Sequence, residues 1–253
     1  MRDVERILKD LARGRISLAR AMRLLRVHGI ARVEEMARVD SGREMRTRVP
    51  EIILAEGKTP SQIVAIAKKF PSRVILSRVG DSHLRALRKN FKRIKHNPLA
   101  RIVVVEKGAS ARAKTGSVGV IAAGTSDVPV AEEAIAVAEA MGCSVMRAYD
   151  VGVAGIHRLL APLKKMINEV DVFVVVAGRE GTLPAIVAGM VDVPVIGVPT
   201  STGYGFGGKG EAALKSMLQS CSFLTVVNID NGVGAGACAA LIAKRTRAAN
   251  ATR

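Results

Sequence analysis

The sequence predicts an α/β protein, with a doubly wound parallel sheet in its C-terminal half and a smaller α/β domain before it. Three observations predict this. From Glu51 onward, strand-length apolar segments alternate with helix-length ones, the pattern of βαβ units. In the C-terminal half the strands are continuous apolar runs, as in sheets covered on both faces. The chain is 49% hydrophobic yet only 3% aromatic with no Trp, so Ala, Val, Ile and Leu must fill its core.

Residues 3–27 read as two short helices. Val4, Ile7, Leu8 and Leu11 share one helical face, Gly14 breaks the period, and Leu18, Met22 and Leu25 resume it. Arg26 to Arg48 reads as a polar, irregular connector. EIILA (51–55) is a strand, and Thr59 caps a helix that has Pro60 at its first position. RVILS (73–77) is a strand, Asp81 to Asn90 a helix, and RIVVVE (101–106) a strand. The small, polar stretch KGASARAKTGS (107–117) is the best domain boundary. It separates a domain over 1–110 from one over 117–245, and a basic tail follows over 246–253.

Beyond the boundary the strands are SVGVIAAG (117–124), SVMRAYD (144–150), VDVFVVVAG (170–178), VPVIGVPT (193–200) and FLTVVNI (223–229), with helical segments between them. In parallel sheets of this kind ligands bind outside the carboxyl ends of the strands. The loops after Ala123, Asp150, Ala177, Thr200 and Ile229 are therefore where chemistry is expected.

The formal net charge of +17 suits anionic ligands. The basic residues are spread, from Arg13 to Arg26 and from Arg85 to His96, with Phe91 as the single aromatic among them and no helix-turn-helix or zinc-finger pattern. Nucleic acid is thus a disfavoured partner. No apolar run reaches the roughly eighteen residues of a membrane helix, and the charged start MRDVERILKD lacks a signal-peptide core, which implies the cytoplasm. Cys143, Cys221 and Cys238 are odd in number and lack zinc-type spacing, so neither a disulfide framework nor a structural metal is expected.

Several constellations can carry chemistry, each with a plainer alternative. Gly124, Thr125, Ser126 and Asp127 open a helix and can cradle an anion, or Ser126 or Asp127 simply caps it. His157 and Arg158 follow the glycine-rich turn VGVAG, in a place that suits either a functional pair or an exposed one. Gly178 and Gly181 bracket Arg179 and Glu180, and Glu180 can carry a proton or cap the next helix. The loop STGYGFGGKG (201–210) has the length and glycine content of a lid, and Lys209 in it can reach a phosphate. Cys143 and Cys238 look like buried, inert thiols, whereas the polar neighbours of Cys221 suggest exposure. A helix C-terminus disfavours a thiolate, so Cys221 would need a nearby cation to react.

GTSDVPVAEEA, YDVGVAGIHRLL, VVAGREGTLPAIVAG, PVIGVPTSTGYG, LKSMLQSC and VVNIDNGVGAGACAALI closely resemble the carboxylase/hydrolase family of nickel-pincer nucleotide cofactor biosynthesis, also called pyridinium-3,5-biscarboxylic acid mononucleotide synthase. EGKTPSQIVAIAK (56–68) extends the likeness into the N-terminal half. The C-terminal part is also similar to aminoimidazole ribonucleotide carboxylases and mutases, which implies a flavodoxin- or Rossmann-like sheet of that type. The nickel-pincer resemblance implies a substrate, nicotinic acid adenine dinucleotide. It implies carboxylation of the pyridinium ring with CO2, and hydrolysis of the phosphoanhydride to release AMP. Cys221 matches the family's nucleophile. Glu180 or Asp127 would then remove the ring proton, and His157, Arg158 and Lys209 would hold carboxylates or phosphates. Gly124, Thr125, Ser126, Gly178 and Gly181 would line the substrate. Mg2+ or another divalent cation would be bound mainly through the substrate phosphates rather than in a protein cage. Similarity to the purine enzymes implies a homo-octamer or other homo-oligomer. The purine enzymes typically carry Gly-Gly-x-Ala-His-Leu-Pro where this sequence has Gly178-Arg-Glu-Gly-Thr-Leu-Pro184, and Glu180 there, with Cys221, favours pyridinium chemistry over an aminoimidazole ribonucleotide carboxylase or mutase. Arg179 departs from the apolar residue usual at its position in the nickel-pincer family.

Overall fold

A computed structural model describes residues 2–25, 30–33, 37–40, 43–70, 73–107 and 114–250. The chain divides into two units, residues 1–95 with 103–110, and residues 96–102 with 111–253. Residues 108–113 of the expected boundary lie outside the described residues.

In the first unit, α1 (Arg2–Ala12) and α2 (Leu18–Leu25) flank Gly14, which takes φ 67°, a conformation glycine adopts without strain. The segment expected to be an irregular connector instead contains β1 (Ile30–Val33) and β2 (Ala37–Asp40), paired antiparallel, and α3 (Arg43–Thr47). IARV and ARVD are too short and too charged to show a period of two. β3 (Glu51–Leu54), α4 (Pro60–Lys68), β4 (Arg73–Ser77), α5 (Asp81–Asn90), β5 (Ile94–Asn97) and β6 (Ile102–Glu106) follow, in a sheet ordered β3-β4-β6-β5. Thr59 caps α4 reciprocally with Gln62: Thr59 Oγ1 accepts from the Gln62 N–H, and Gln62 Oε1 accepts from the Thr59 N–H. β5 was not expected, because Ile94 is its only apolar residue.

The second unit contains β7 (Ser117–Ala122), α6 (Val128–Ala140), β8 (Ser144–Ala148), α7 (His157–Met166), β9 (Val172–Ala177), α8 (Leu183–Ala188), β10 (Val195–Pro199), α9 (Glu211–Leu218), β11 (Thr225–Val226) and α10 (Gly232–Asn250). Its strands are parallel throughout, in the order β11-β10-β9-β7-β8. This is the flavodoxin-like order, in which the chain reverses direction between β7 and β9 and leaves a crevice at their carboxyl ends. β7 and β9 lie at the centre, and the aliphatic core predicted from composition surrounds them, with the aromatic Phe173 fully buried in it. The last strand is much shorter than FLTVVNI suggests, since only Thr225 and Val226 pair with β10. The basic tail is partly helix: α10 continues to Asn250, and Arg247 is ion-paired at 3.0 Å with the buried Asp171.

α10 packs on α6 through small residues. A Cβ at Gly236 would lie 2.4 Å from the Ala134 carbonyl oxygen and 2.8 Å from its Cα. Ala131, Ala134 and Ala138 of α6, with Ala235, Ala239 and Ala243 of α10, are fully buried. Gly236→Val is therefore expected to destabilise the second unit by about 3 kcal/mol, the upper range for overpacking, read as a lower midpoint in denaturant. An unchanged midpoint would mean that the two helices do not approach this closely.

Candidate active site

The loops after β7, β8, β9 and β10 enclose a cleft of about 700 Å³ at the carboxyl edge of the second unit's sheet. That volume is in the range of sites for substantial small molecules. Gly124, Thr125, Ser126, Asp127, Arg158, Gly178 and Glu180, all singled out from sequence, line it.

The turn from Gly124 to Asp127 is the floor. Asp127 is 4% exposed, and its carboxylate reaches back rather than forward: Oδ2 accepts from the Gly124 N–H at 3.0 Å, and Oδ1 accepts from the Thr200 hydroxyl at 2.6 Å. Asp127 thus closes the turn on itself and ties it to the end of β10, instead of capping α6 with its side chain. Burial pushes its carboxyl above the ordinary range, against the lowering effect of the bonds from Thr200, Gly124 and Gly178. Thr125 and Ser126 are exposed beside it, so their hydroxyls are available to an anion at the start of α6.

The next wall comes from the loop after β8. Asp150 takes φ 57° and binds the Arg158 guanidinium at 2.5 Å. Its neighbour Tyr149 is fixed from below, donating to Glu132 of α6, which also accepts from Asn97. Burial and the adjacent Glu132 carboxylate raise the Tyr149 phenol above its ordinary value. Arg158 therefore enters the cleft with its charge already balanced by Asp150.

The third wall joins β9 to β10. A Cβ at Gly178 would meet the Thr202 carbonyl at 2.5 Å and the Thr200 hydroxyl at 2.7 Å, so only glycine allows these loops to close together. The Arg179 N–H then donates to the Thr202 carbonyl at 2.9 Å. Glu180 follows, exposed and without an ion pair among the described residues.

The remaining sequence candidates lie outside the cleft lining. Gly181 is buried, with its backbone against Ala213 of α9. His157 is exposed at the start of α7, and Lys209 is exposed at φ 58° near the end of the glycine-rich loop. Cys221 is exposed, as its polar neighbours suggested, but it is not part of the cleft lining. Gly210 packs against the Thr200 carbonyl at the carboxyl end of β10. From there α9 runs back along the sheet, and Thr225 pairs beside Ile196 near the amino end of β10. Cys221 therefore sits at the amino edge, roughly 12 Å down an eight-residue helix. Cys143 is buried, its thiol raised by burial, whereas Cys238 is exposed, contrary to expectation.

Thr200, Asp150, Arg179, Thr182 and Tyr204 were not among the site candidates. The strand ends at Asp150 and Thr200 marked their loops, but nothing local marked the side chains that pair there. Among the described residues, no cluster of three or more His, Cys, Asp or Glu side chains could hold a metal, and no helix is long and apolar enough to cross a membrane.

Residues 117–253 match the model of the AIR carboxylase family, and residues 31–107 match a LarB/PurE-like N-terminal domain. An uncharacterized protein of Methanocaldococcus jannaschii is 42% identical over 94% of this chain and 96% of its own length. The N5-carboxyaminoimidazole ribonucleotide mutase of Thermotoga maritima is 33% identical over 49% of this chain and 73% of its own. That of M. jannaschii is 29% identical over 49% and 74%. A crystal structure of a PurE2 variant from Treponema denticola is 19% identical, covers 54% of this chain and 91% of its own, and superimposes with a TM-score of 0.39.

Proposed function

Because the chain belongs to the family that joins a LarB/PurE-like N-terminal domain to an AIR carboxylase domain, we propose that it carboxylates the pyridinium ring of nicotinic acid adenine dinucleotide and hydrolyses its phosphoanhydride. The products are pyridinium-3,5-biscarboxylic acid mononucleotide and AMP. The observation that carries this reading is the Glu180 carboxylate, without an ion pair among the described residues, in a cleft whose floor suits a phosphate. The purine-type enzymes, to which the C-terminal unit is also similar, carry Gly-Gly-x-Ala-His-Leu-Pro at this turn in the resemblance, a pattern that requires no carboxylate there.

An electron-poor pyridinium does not attack CO2. Addition of the Cys221 thiolate to the ring carbon beside the reacting one forms a C–S bond and gives a neutral dihydropyridine. Its enamine carbon attacks CO2 and forms the new C–C bond. Glu180 then takes the proton from that carbon, the C–S bond breaks, and the thiolate leaves as the ring regains aromaticity. The cationic ring supplies the charge that the end of α9 withholds from a thiolate. Thr125 and Ser126 hold the phosphate of the reacting half. A divalent cation such as Mg2+, held mainly by the substrate phosphates, would neutralise the anhydride for attack by water.

Cys221 is too far along α9 to enter its own cleft, so it acts on the cleft of a neighbouring copy in a homo-oligomer. Leu218 and Phe223, exposed on either side of it, form the kind of apolar surface that a second copy covers. Rapid quenching of the protein with nicotinic acid adenine dinucleotide and no bicarbonate, followed by intact-mass analysis, tests the covalent step. The expected result is a transient mass increase of one dinucleotide, lost in Cys221→Ala. An adduct of equal size on the alanine variant would remove Cys221 from the mechanism.

A further inference from the structure

The proposed reaction gives no step to either arginine of the cleft, Arg158 or Arg179. The Arg179 guanidinium lies over the Tyr204 ring, 5.5 Å from the centroid. Both residues line the cleft, and they come from different loops. Of the two cleft arginines, Arg158 is neutralised by Asp150 at 2.5 Å, whereas Arg179 has no carboxylate partner among the described residues. The pair is built rather than incidental. Arg179 takes φ 48°, a conformation rare for a residue with a side chain. Its N–H is held by the Thr202 carbonyl, and the missing side chain at Gly178 lets the two loops approach this closely. Tyr204 stands between Gly203 and Gly205, 82% exposed at the cleft mouth, while the phosphate-binding turn lies on the floor beside the buried Asp127.

An exposed aromatic face beside an unpaired guanidinium is chemically suited to a nucleotide: the ring stacks a flat base, and the fork takes a phosphate. We propose that Arg179 and Tyr204 bind the second nucleotide of the dinucleotide, its base and phosphate, at the mouth of the cleft, and so select a dinucleotide over a mononucleotide. This rests on the reading of a pyridine dinucleotide as substrate. The reacting mononucleotide occupies the floor and does not reach the pair.

Calorimetric titration with nicotinic acid adenine dinucleotide, AMP and nicotinic acid mononucleotide tests it. Arg179→Ala and Tyr204→Ala are expected to weaken the first two on the order of tenfold or more, the usual effect of removing a base-stacking ring. Affinity for nicotinic acid mononucleotide is expected to stay within about twofold. Tyr204→Phe keeps the ring and is expected to restore parent affinity, whereas Arg179→Lys, which lacks the planar fork, restores only part. Equal losses for both mononucleotides would place Arg179 on the shared phosphate and overturn the proposal, as would no loss for any probe or no AMP binding by the parent. AMP binding that depends on Arg179, in a protein that does not carboxylate the dinucleotide, would leave this site standing and remove the reaction.

Discussion

Replacing Cys221 with alanine is expected to lower carboxylation of nicotinic acid adenine dinucleotide on the order of 10⁴-fold, with thermal stability unchanged. Removal of a covalent nucleophile costs this much because the barrier it divides becomes a single step. The side chain is exposed, so its truncation leaves no cavity. The same variant tests where the sulfur acts. If one copy supplies Cys221 and another supplies the cleft, mixing Cys221→Ala with Glu180→Gln chains under conditions that exchange subunits rebuilds complete sites. With equal mixing, about a quarter of the sites then hold both a cysteine and a carboxylate, in the manner of heterologous interfaces. Activity that returns on mixing places the thiol in a neighbouring copy. If neither variant regains activity after proven exchange, Cys221 and Glu180 act within one chain, and α9 would have to rearrange.

The second large effect separates Glu180 from Asp127, two of the three carboxylates that line the cleft. Glu180→Gln is expected to lower turnover by about 10²- to 10⁴-fold, the usual contribution of a general base, with substrate affinity preserved. Asp127→Asn is expected to act differently. Both Asp127 oxygens already accept hydrogen bonds, from Gly124 and Thr200, in a buried position. An amide can keep the Gly124 bond only by reversing the one to the Thr200 hydroxyl, and it replaces charge-assisted bonds with neutral ones, which loosens the floor turn and weakens phosphate binding. KM should therefore rise more than kcat falls, while Glu180→Gln shows the reverse. A kcat defect confined to Asp127→Asn would exchange the two roles.

Physical causes decide what the sequence made legible. β7 and β9 were plain because strands covered on both faces need unbroken apolar runs, and SVGVIA and VFVVVA are such runs. The same reasoning overextended the last strand. FLTVVNI is equally apolar, but it lies at the sheet edge, where Phe223 is 98% exposed and two residues pair. Edge strands also hid the opposite way, since β5 is mostly polar and its pairing leaves little apolar pattern. In the site, the crevice loops followed from strand order alone, and Gly124 to Asp127, Arg158 and Glu180 were found with them. Asp150 with Arg158 and Arg179 with Tyr204 were not, because each pairing depends on how two loops meet. The distance between Cys221 and the cleft was hidden for a related reason. A motif records which residues a family uses, not how far apart the fold holds them.

Direct turnover is the measurement on which the functional reading stands. The protein is incubated with labelled bicarbonate and Mg2+, and with either nicotinic acid adenine dinucleotide or aminoimidazole ribonucleotide. The predicted result is release of AMP from the dinucleotide, with label in a mononucleotide one carboxylate larger than nicotinic acid mononucleotide, and no label in the aminoimidazole product. Label in the aminoimidazole product alone, with the dinucleotide recovered intact, would contradict it.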